Sequence, residues 1–223
     1  MSISKTNGET DFLEMTELEK IVEHKIVSII RGYAVSQTLE IVNALYDGGV
    51  RLVEVTLNSP NVLESISKIS AMNKEGLLVG AGTVLNVGQT RAAVDAGARF
   101  IISPGTDIET IEKTKELGIV SIPGAFTPTE VITASNAGAD VIKIFPSVLG
   151  PGYIKDLRGP LDDVKLMPTG GVTVENIPVY LNAGAVAFGI GSSLLKSENQ
   201  GEAKLEDIRQ NAADFVKAVE DHV

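Results

Sequence analysis

Short apolar runs alternate with amphipathic segments along most of this chain. In five places a helix-like segment passes through a glycine into an apolar run, and these glycines are Gly49, Gly97, Gly118, Gly138 and Gly184. Glycine suits a left-handed backbone position just past a helix end, where a Cβ would be costly. Near-continuous apolar runs are typical of parallel strands covered on both faces. The pattern therefore predicts a repeated unit of helix, glycine cap and parallel strand.

Taken with the less regular runs, the pattern predicts eight strands. They are expected near residues 26–30, 51–56, 77–81, 99–103, 119–122, 140–145, 164–168 and 185–189. Helices are expected between and around them, at about 9–24, 35–48, 61–73, 87–96, 107–117, 127–137, 151–158, 173–183 and 203–220. Eight alternating β and α units predict an α/β protein of the (β/α)8 TIM barrel class rather than an open doubly wound sheet. The whole chain, 1–223, is expected to form one barrel domain, with 1–24 as an N-terminal extension and helix.

The composition argues against several classes of protein. The chain has no cysteine, which excludes disulfides, thiol nucleophiles and cysteine-ligated zinc. Its net charge is −10 at pH 7, and its 19 lysines and arginines form no dense run, so no nucleic-acid partner is expected. No segment has the length and apolarity of a signal peptide or membrane span, which predicts a soluble, cytoplasmic protein without a membrane partner. With only two histidines, His24 and His222, a histidine base or histidine-rich metal centre is disfavoured.

Two charged residues interrupt the apolar strands. Glu54 lies in Leu-Val-Glu-Val-Thr and Lys143 in Val-Ile-Lys-Ile-Phe. Predicted strands 2 and 6 are both even-numbered, and because interior layers of a barrel draw on alternate strands, the two side chains are expected in one layer. They form either a buried structural ion pair or an amine nucleophile with a carboxylate acid/base, as imine chemistry requires. A close carboxylate favours the ammonium form of the lysine, whereas apolar surroundings favour the free amine.

Two glycine-rich loops indicate a phosphate site. Pro168-Thr-Gly-Gly-Val172 follows predicted strand 7, and Gly189-Ile-Gly-Ser-Ser-Leu194 follows predicted strand 8. Glycines let backbone N–H groups approach an anion, and a helix N-terminus adds partial positive charge. Because barrels of this class commonly hold phosphate after strands 7 and 8, the pair favours a phosphate ligand over ordinary turns.

Three further residues each have two interpretations. Arg31, at the end of predicted strand 1, either holds a carboxylate or phosphate or is a solvated arginine at a helix start. Thr83 follows predicted strand 3 and either offers its hydroxyl and N–H to a ligand or caps a helix. Phe145 lies two residues beyond Lys143 on the same strand face, where it either walls a pocket or packs in the core.

As an ordered set, the motifs resemble one family, the class I aldolases that cleave 2-keto-3-deoxy-6-phosphogluconate and 4-hydroxy-2-oxoglutarate. The matching stretches are Arg31-Gly32, Gly48-Gly-Val-Arg-Leu-Val-Glu-Val-Thr-Leu57, Gly80-Ala-Gly-Thr-Val-Leu85, Ile102-Ser-Pro-Gly105, Ile122-Pro-Gly124, Ile142-Lys-Ile-Phe-Pro146, Pro168-Thr-Gly-Gly-Val172 and Gly189-Ile-Gly-Ser192. They span all eight predicted strands and leave out only the N-terminal segment and the last helix.

The resemblance implies a role for each matching residue. Lys143 would form the Schiff base with pyruvate or the keto acid, and Glu54 would be the general acid/base. The implied substrate-binding residues are Thr83, which would bind the pyruvyl carboxylate, Pro104 and Phe145, which would line the pocket, and Thr169, which would help to select the substrate. The implied phosphate-binding residues are Gly170, Gly171, Gly191 and Ser192. The resemblance also implies that the protein needs neither a metal nor an organic cofactor, and that it forms a homotrimer.

The expected reaction is reversible cleavage of 2-keto-3-deoxy-6-phosphogluconate to pyruvate and D-glyceraldehyde 3-phosphate, with cleavage of 4-hydroxy-2-oxoglutarate to pyruvate and glyoxylate as a second activity. Two positions disagree about the C4 configuration of the substrate. Asn58 replaces an arginine of some members and looks like the relatives that act on the galactonate epimer, whereas Thr169 resembles the gluconate enzymes. The alternatives are therefore a 2-keto-3-deoxy-6-phosphogalactonate aldolase, an isomerase or epimerase with Glu54 as base, and a non-catalytic phosphosugar-binding barrel.

Overall fold

The computed structural model describes residues 15–222. Of the predicted N-terminal helix at 9–24, residues 9–14 lie outside this range, as does most of the predicted N-terminal extension. The described part begins with helix α1, Glu17–His24. Thr16 and Glu19 form a capping box, in which the Glu19 N–H donates to Thr16 Oγ1 over 3.3 Å and the Thr16 N–H donates to Glu19 Oε2 over 2.7 Å. This reciprocal pair satisfies backbone donors at the helix start.

Strands and helices then alternate along the chain. The strands are β1 Ile26–Ile30, β2 Leu52–Thr56, β3 Leu78–Gly82, β4 Phe100–Ile102, β5 Val120–Ile122, β6 Gly124–Ala125, β7 Ile142–Ile144, β8 Leu166–Pro168 and β9 Phe188–Ile190. The helices after α1 are α2 Val35–Asp47, α3 Val62–Ser70, α4 Val87–Asp95, α5 Ile108–Glu116, α6 Pro128–Asn136, α7 Gly150–Arg158, α8 Ile177–Asn182 and α9 Gly201–Glu220. Among residues 15–222, none of these helices has the length and apolarity needed to cross a bilayer.

The strands form a curled, parallel sheet in two parts. Six strands pair in the order β5-β4-β3-β2-β1-β9, and three pair in the order β6-β7-β8. Only Pro123 separates β5 from β6, and its carbonyl accepts a 2.9 Å hydrogen bond from the Lys143 N–H. Between β8 and β9, two isolated parallel bridges join Leu166 to Ala185 and Thr169 to Gly189. The predicted alternating α/β fold with parallel strands is confirmed.

The glycine caps occur where the sequence pattern places them. Gly49, Gly97, Gly118, Gly138 and Gly184 all have a positive φ, between 71° and 104°. In this region of φ a side chain is strained, so glycine ends each helix at low cost. The largest error in a predicted boundary is at α8, which begins at Ile177 rather than at 173; β9 begins at Phe188 rather than at 185, and α3 ends at Ser70 rather than at 73. The Thr173 N–H donates to Asn176 Oδ1 over 2.9 Å, which holds a turn ahead of α8.

The core has two parts, separated by the sheet. One part lies between the strands and the surrounding helices, and it contains most of the buried apolar residues. The other part is a smaller cluster on the inner face of the curled sheet, formed by Ile21, Val27, Leu52, Phe100, Ile102, Val120, Ile122, Val141, Met167 and Ala187. Ile21 comes from α1, so this helix packs against the inner cluster. Side chains alternate along a strand, so the positions two residues beyond Leu52, Val141 and Met167 face the same interior.

Candidate active site

Glu54 lies on the inner face of β2, in register with Ile29 of β1 and Gly80 of β3. Its side chain is 0% exposed, and within residues 15–222 neither carboxyl oxygen has a hydrogen-bond partner. Burial raises the pKa of this carboxyl group, and the positive charges of Lys143 and Arg31 offset part of that rise. The structure thus contains a buried acid whose oxygens are available to a ligand.

Gly82 makes room for that carboxyl group. A Cβ built on Gly82 would overlap the Glu54 side chain, with Oε1 as its nearest atom. Two residues earlier on the same strand, a Cβ on Gly80 would overlap the Phe100 ring. Glycine in the interior of a strand often marks the close approach of another group. The sequence interpretation gave Gly80 and Gly82 no role, although two glycines spaced two apart in an apolar strand were a usable signal.

Lys143 lies at the centre of β7, in register with Gly124 of β6 and Met167 of β8. It is 5% exposed, and its Nζ lies 5.1 Å from the centroid of the Phe145 ring. Phe145 itself is 40% exposed, so it covers the amine from the solvent side rather than packing in the core. Among the described residues no ion pair joins Lys143 to Glu54, and the Glu54 oxygens are unbonded. The structure therefore does not form the structural ion pair that was one interpretation of these residues.

Two backbone hydrogen bonds of Thr169 join the end of β8 to the end of β7. Its N–H donates to Ile144 O over 3.0 Å, and its carbonyl accepts from the Ser147 N–H over 2.9 Å. The side chain is buried and faces Gly189 of β9, where a Cβ would overlap Thr169 Oγ1. The threonine side chain therefore fits because β9 carries a glycine at this position.

Arg31, Gly191 and Ser192 line one cavity of about 380 Å³, together with Ile29, Tyr33 and Leu195. Arg31 follows β1 directly, and its Nη1 donates to Asn58 Oδ1 over 3.2 Å. The structure thus brings the predicted arginine to the glycine-serine loop after β9. An arginine fork and exposed backbone N–H groups are suited to an anion such as phosphate.

The second glycine loop lies beside this cavity but does not line it. Gly170 and Gly171 have φ values of +93° and +73°, so both residues use the left-handed region that glycine tolerates. Ser193 Oγ donates to Val172 O over 2.9 Å, which ties the loop after β9 to the loop after β8. The two predicted phosphate loops are therefore neighbours, although only Gly191 and Ser192 share the cavity with Arg31.

Thr83 and Pro104 lie at the ends of β3 and β4. Thr83 has a φ of +57°, a left-handed conformation that costs energy in a residue with a branched side chain. The cap of α4 is Asn86, whose Oδ1 accepts from the Gln89 N–H over 2.9 Å, so the interpretation of Thr83 as a helix cap is wrong. Pro104 is exposed, and its carbonyl lies against Gly124, where a Cβ would overlap it.

The fold and these side chains define a class of protein: a parallel α/β protein with a buried amine, a buried carboxyl group and an arginine-lined cavity near the carboxyl ends of its strands. The sequence pattern of the family described as "Aldolase: KDPG and KHG aldolase" matches residues 18–211. This chain belongs to the KDPG and KHG aldolase family, a family of enzymes in the lyase class.

The names of two relatives specify different sugar acids. The 2-dehydro-3-deoxy-6-phosphogalactonate aldolase of Escherichia coli (strain K12) is 38% identical over 200 residues, which are 89% of this chain and 96% of that protein. The 2-dehydro-3-deoxy-phosphogluconate aldolase of Treponema pallidum (strain Nichols) is 32% identical over 169 residues, 75% of this chain and 80% of that protein.

Two solved structures have the same fold. The "Native KDPGal structure" is 38% identical, with a TM-score of 0.82, and the match covers 88% of this chain and 95% of that one. The KDPG aldolase of Legionella pneumophila, solved with pyruvate captured at low pH as a covalent carbinolamine intermediate, is 26% identical. Its TM-score is 0.76, and the match covers 94% of this chain and 98% of that one.

Proposed function

We propose that this protein is a class I aldolase that reversibly cleaves 2-dehydro-3-deoxy-6-phosphogalactonate to pyruvate and D-glyceraldehyde 3-phosphate, with Lys143 as the nucleophile. The observation that carries the proposal is a buried amine and a buried, unbonded carboxyl group on the inner face of one curled sheet. An imine mechanism needs both groups, because an amine must form the covalent bond and an acid/base must move the protons.

The reaction follows from these two groups. The free amine of Lys143 attacks the C2 carbonyl carbon to give a carbinolamine, and Glu54 protonates its hydroxyl group, which leaves as water. The resulting iminium accepts the electron pair of the C3–C4 bond when that bond breaks. Glu54 takes the proton from the C4 hydroxyl, and the aldehyde departs. Protonation of the enamine at C3 and hydrolysis of the imine then release pyruvate and restore the lysine.

The environment of Glu54 supports this role. A general acid/base works best when its pKa lies near the working pH, and burial raises the pKa of Glu54 above that of an ordinary glutamate. Because Lys143 and Arg31 both act on this carboxyl group electrostatically, the positive charge that the Lys143 nitrogen gains in the iminium and loses in the enamine changes the proton affinity of Glu54 during the cycle.

The remaining site residues have proposed binding roles. Arg31, Gly191 and Ser192 would hold the phosphate in their shared cavity, and Gly170 and Gly171 would approach it from the adjacent loop. Thr83 would bind the pyruvyl carboxylate, Pro104 and Phe145 would line the pocket, and Thr169 would contact the substrate near C4. No metal or organic cofactor takes part in these steps.

The choice of the galactonate epimer rests on Asn58 and on the similarity to relatives with that substrate in their names. Asn58 accepts a hydrogen bond from Arg31, so the position that carries an arginine in some members instead orients the arginine that follows β1. The E. coli phosphogalactonate aldolase is 38% identical, against 32% for the T. pallidum phosphogluconate aldolase. Thr169 favours the gluconate epimer, which makes the phosphogluconate aldolase activity the second candidate.

We also propose that the two parts of the sheet form one closed eight-stranded barrel. The interruption between β5 and β6 is a single proline, and two parallel bridges connect β8 to β9. A proline lacks the N–H that a strand needs at that position, so it divides one strand into two shorter segments. The homotrimer, the single domain and the cytoplasmic location stay predictions from the sequence.

Two measurements test the proposed function. Borohydride reduction in the presence of pyruvate should add the mass of a reduced pyruvyl group to the Lys143 peptide. A lactate dehydrogenase assay should then detect pyruvate from each C4 epimer, with the larger kcat/KM for the galactonate. Pyruvate release without the adduct would remove Lys143 as the nucleophile, and the absence of both adduct and pyruvate would leave an isomerase or epimerase with Glu54 as base as the alternative. A preference for the gluconate would reverse the assignment of the epimer.

A further inference from the structure

Tyr33 lies between two neighbouring cavities. It lines the 380 Å³ cavity that holds Arg31, Gly191 and Ser192, and it also lines a smaller cavity of about 130 Å³. The other residues around the smaller cavity are Gln37, Glu40, Ile41, Gln200, Gly201, Lys204 and Leu205. Tyr33 therefore lies between the residues of α9 that line the smaller cavity and the proposed phosphate site in the larger one.

Lys204, in the first turn of α9, packs on Tyr33. Its Nζ lies 5.0 Å from the centroid of the tyrosine ring and 3.5 Å from the hydroxyl oxygen, at the outer limit of a hydrogen bond. Lys204 forms no ion pair with a carboxylate among residues 15–222, although Glu40 lines the same small cavity. The ammonium group thus has the tyrosine as its nearest described partner.

The direction of this contact decides what the tyrosine can do. An ammonium group only donates hydrogen bonds, so the Tyr33 oxygen accepts from Lys204 and its own O–H is left to donate to another acceptor. In the larger cavity, Arg31 is the one charged residue among the described residues that line it. The whole chain carries a net charge of −10, which opposes the approach of an anionic substrate.

We propose that Tyr33 and Lys204 form a specificity pair for the phosphate end of the substrate, in which Tyr33 donates a hydrogen bond toward the phosphate and Lys204 orients the hydroxyl and adds positive charge. This inference rests on the proposed function, since it assigns the phosphate to the cavity of Arg31 and Ser192. The pair contributes to binding of the phosphate end and leaves the bond-breaking steps at Lys143 unchanged.

The test compares substrates with and without a phosphate group. Lys204→Met keeps most of the length of the side chain and removes its charge, and Tyr33→Phe removes only the hydroxyl. Lys217→Met, at the other end of α9, is the matched control. Each variant is assayed with the phosphorylated keto acid and with 4-hydroxy-2-oxoglutarate, and its affinity for inorganic phosphate is measured by thermal shift. The thermal shift does not require turnover.

Lys204→Met and Tyr33→Phe should each raise KM for the phosphorylated substrate by up to about fivefold, the factor that corresponds to 1 kcal/mol, and weaken inorganic phosphate binding similarly. The kcat/KM for 4-hydroxy-2-oxoglutarate should change less than twofold, and Lys217→Met should match the wild type throughout. Equal losses of kcat/KM on both substrates, or an unchanged affinity for inorganic phosphate, would overturn the proposal that Tyr33 and Lys204 act on the phosphate end. A wild-type protein that binds phosphate through Lys204 and releases no pyruvate would instead refute the proposed function alone.

Discussion

The inner face of the curled sheet carries two layers of side chains that differ sharply in chemistry, although the same chain segments contribute to both layers. The lower layer is apolar and packs against α1, and the upper layer carries polar groups two residues further along each segment. The pairs are Leu52 and Glu54, Val141 and Lys143, and Met167 and Thr169. Because alternate side chains along a strand share a face, two residues that are two positions apart lie on the same face, one in the apolar lower layer and one in the polar upper layer.

The difference shows how stability and chemistry are divided within one interior. Burial of Leu52 and its neighbours stabilises the fold, at about 25 cal/mol for each Å² of apolar surface removed from water. Glu54 has no hydrogen-bond partner within the part of the chain that the structure describes, and its burial destabilises the fold, because a polar group loses its water and gains no hydrogen bond in return. Stability and chemistry therefore depend on different layers, so substitutions in the two layers should have separable effects.

The largest expected effect is on the amine of the upper layer. Lys143→Met should abolish borohydride trapping by pyruvate and lower kcat at least about 1,000-fold, because the variant lacks the amine that forms the imine. The circular dichroism spectrum should match that of the wild type. Lys155→Met, an exposed lysine on α7, serves as control and should retain activity. Trapping that persists in the Lys143 variant would place the nucleophile elsewhere.

A matching change in the lower layer should act on stability instead. Leu52→Ala removes a fully buried side chain, and it should lower the free energy of unfolding by about 2–5 kcal/mol in urea titrations. Its kcat should stay within a few-fold of the wild type at a temperature where the variant is folded. Leu85→Ala, at an exposed leucine, should change stability far less. A collapse of kcat in the folded Leu52 variant would show that the layers are not separable.

The two glycines of β3 test the boundary between the layers. Gly80→Ala and Gly82→Ala should each cost about 1–3 kcal/mol of stability, because the new methyl group overlaps the Phe100 ring or the Glu54 carboxyl. Only Gly82→Ala should also lower kcat, by tenfold or more, since it displaces the acid/base. Gly152→Ala, where a Cβ meets open space, is the control. Equal kcat losses in both β3 variants would argue against a specific role for Gly82.

The smallest expected effect is a pH dependence due to Glu54. Burial raises the pKa of this carboxyl group in the folded protein above the 4.5 of an ordinary glutamate, so the folded state holds its proton longer than the unfolded state does. The stability of the wild type relative to Glu54→Gln should therefore be highest below pH 4.5. It should fall, by at most about 1.4 kcal/mol per pH unit, until the pH passes the raised pKa. Urea titrations of both proteins across this range measure the difference, and parallel curves would contradict the assigned environment.

Much of the fold was predictable because its signals are local. Each glycine cap depends on one helix end, and each strand on a run of apolar residues, so the parallel α/β pattern and most element positions agree with the prediction. Lys143 and Glu54 were recognisable for the same reason, since each is a charge within an apolar strand. By contrast, the hydrogen bond from Arg31 to Asn58 joins residues 27 positions apart, and the contact of Lys204 with Tyr33 spans 171 positions. No local pattern contains such pairs.

By itself, the sequence determined which residues point to the interior and which of these are charged, because side-chain alternation in a strand is a property of neighbouring residues. Only the tertiary structure decided that Glu54 has no hydrogen-bond partner among residues 15–222, that Gly82 provides the space for it, and that Arg31 shares a cavity with Ser192. These three facts depend on how the sheet curls, since curvature brings distant strands within contact distance. The identity of the chemical groups is thus local information, and their environment is not.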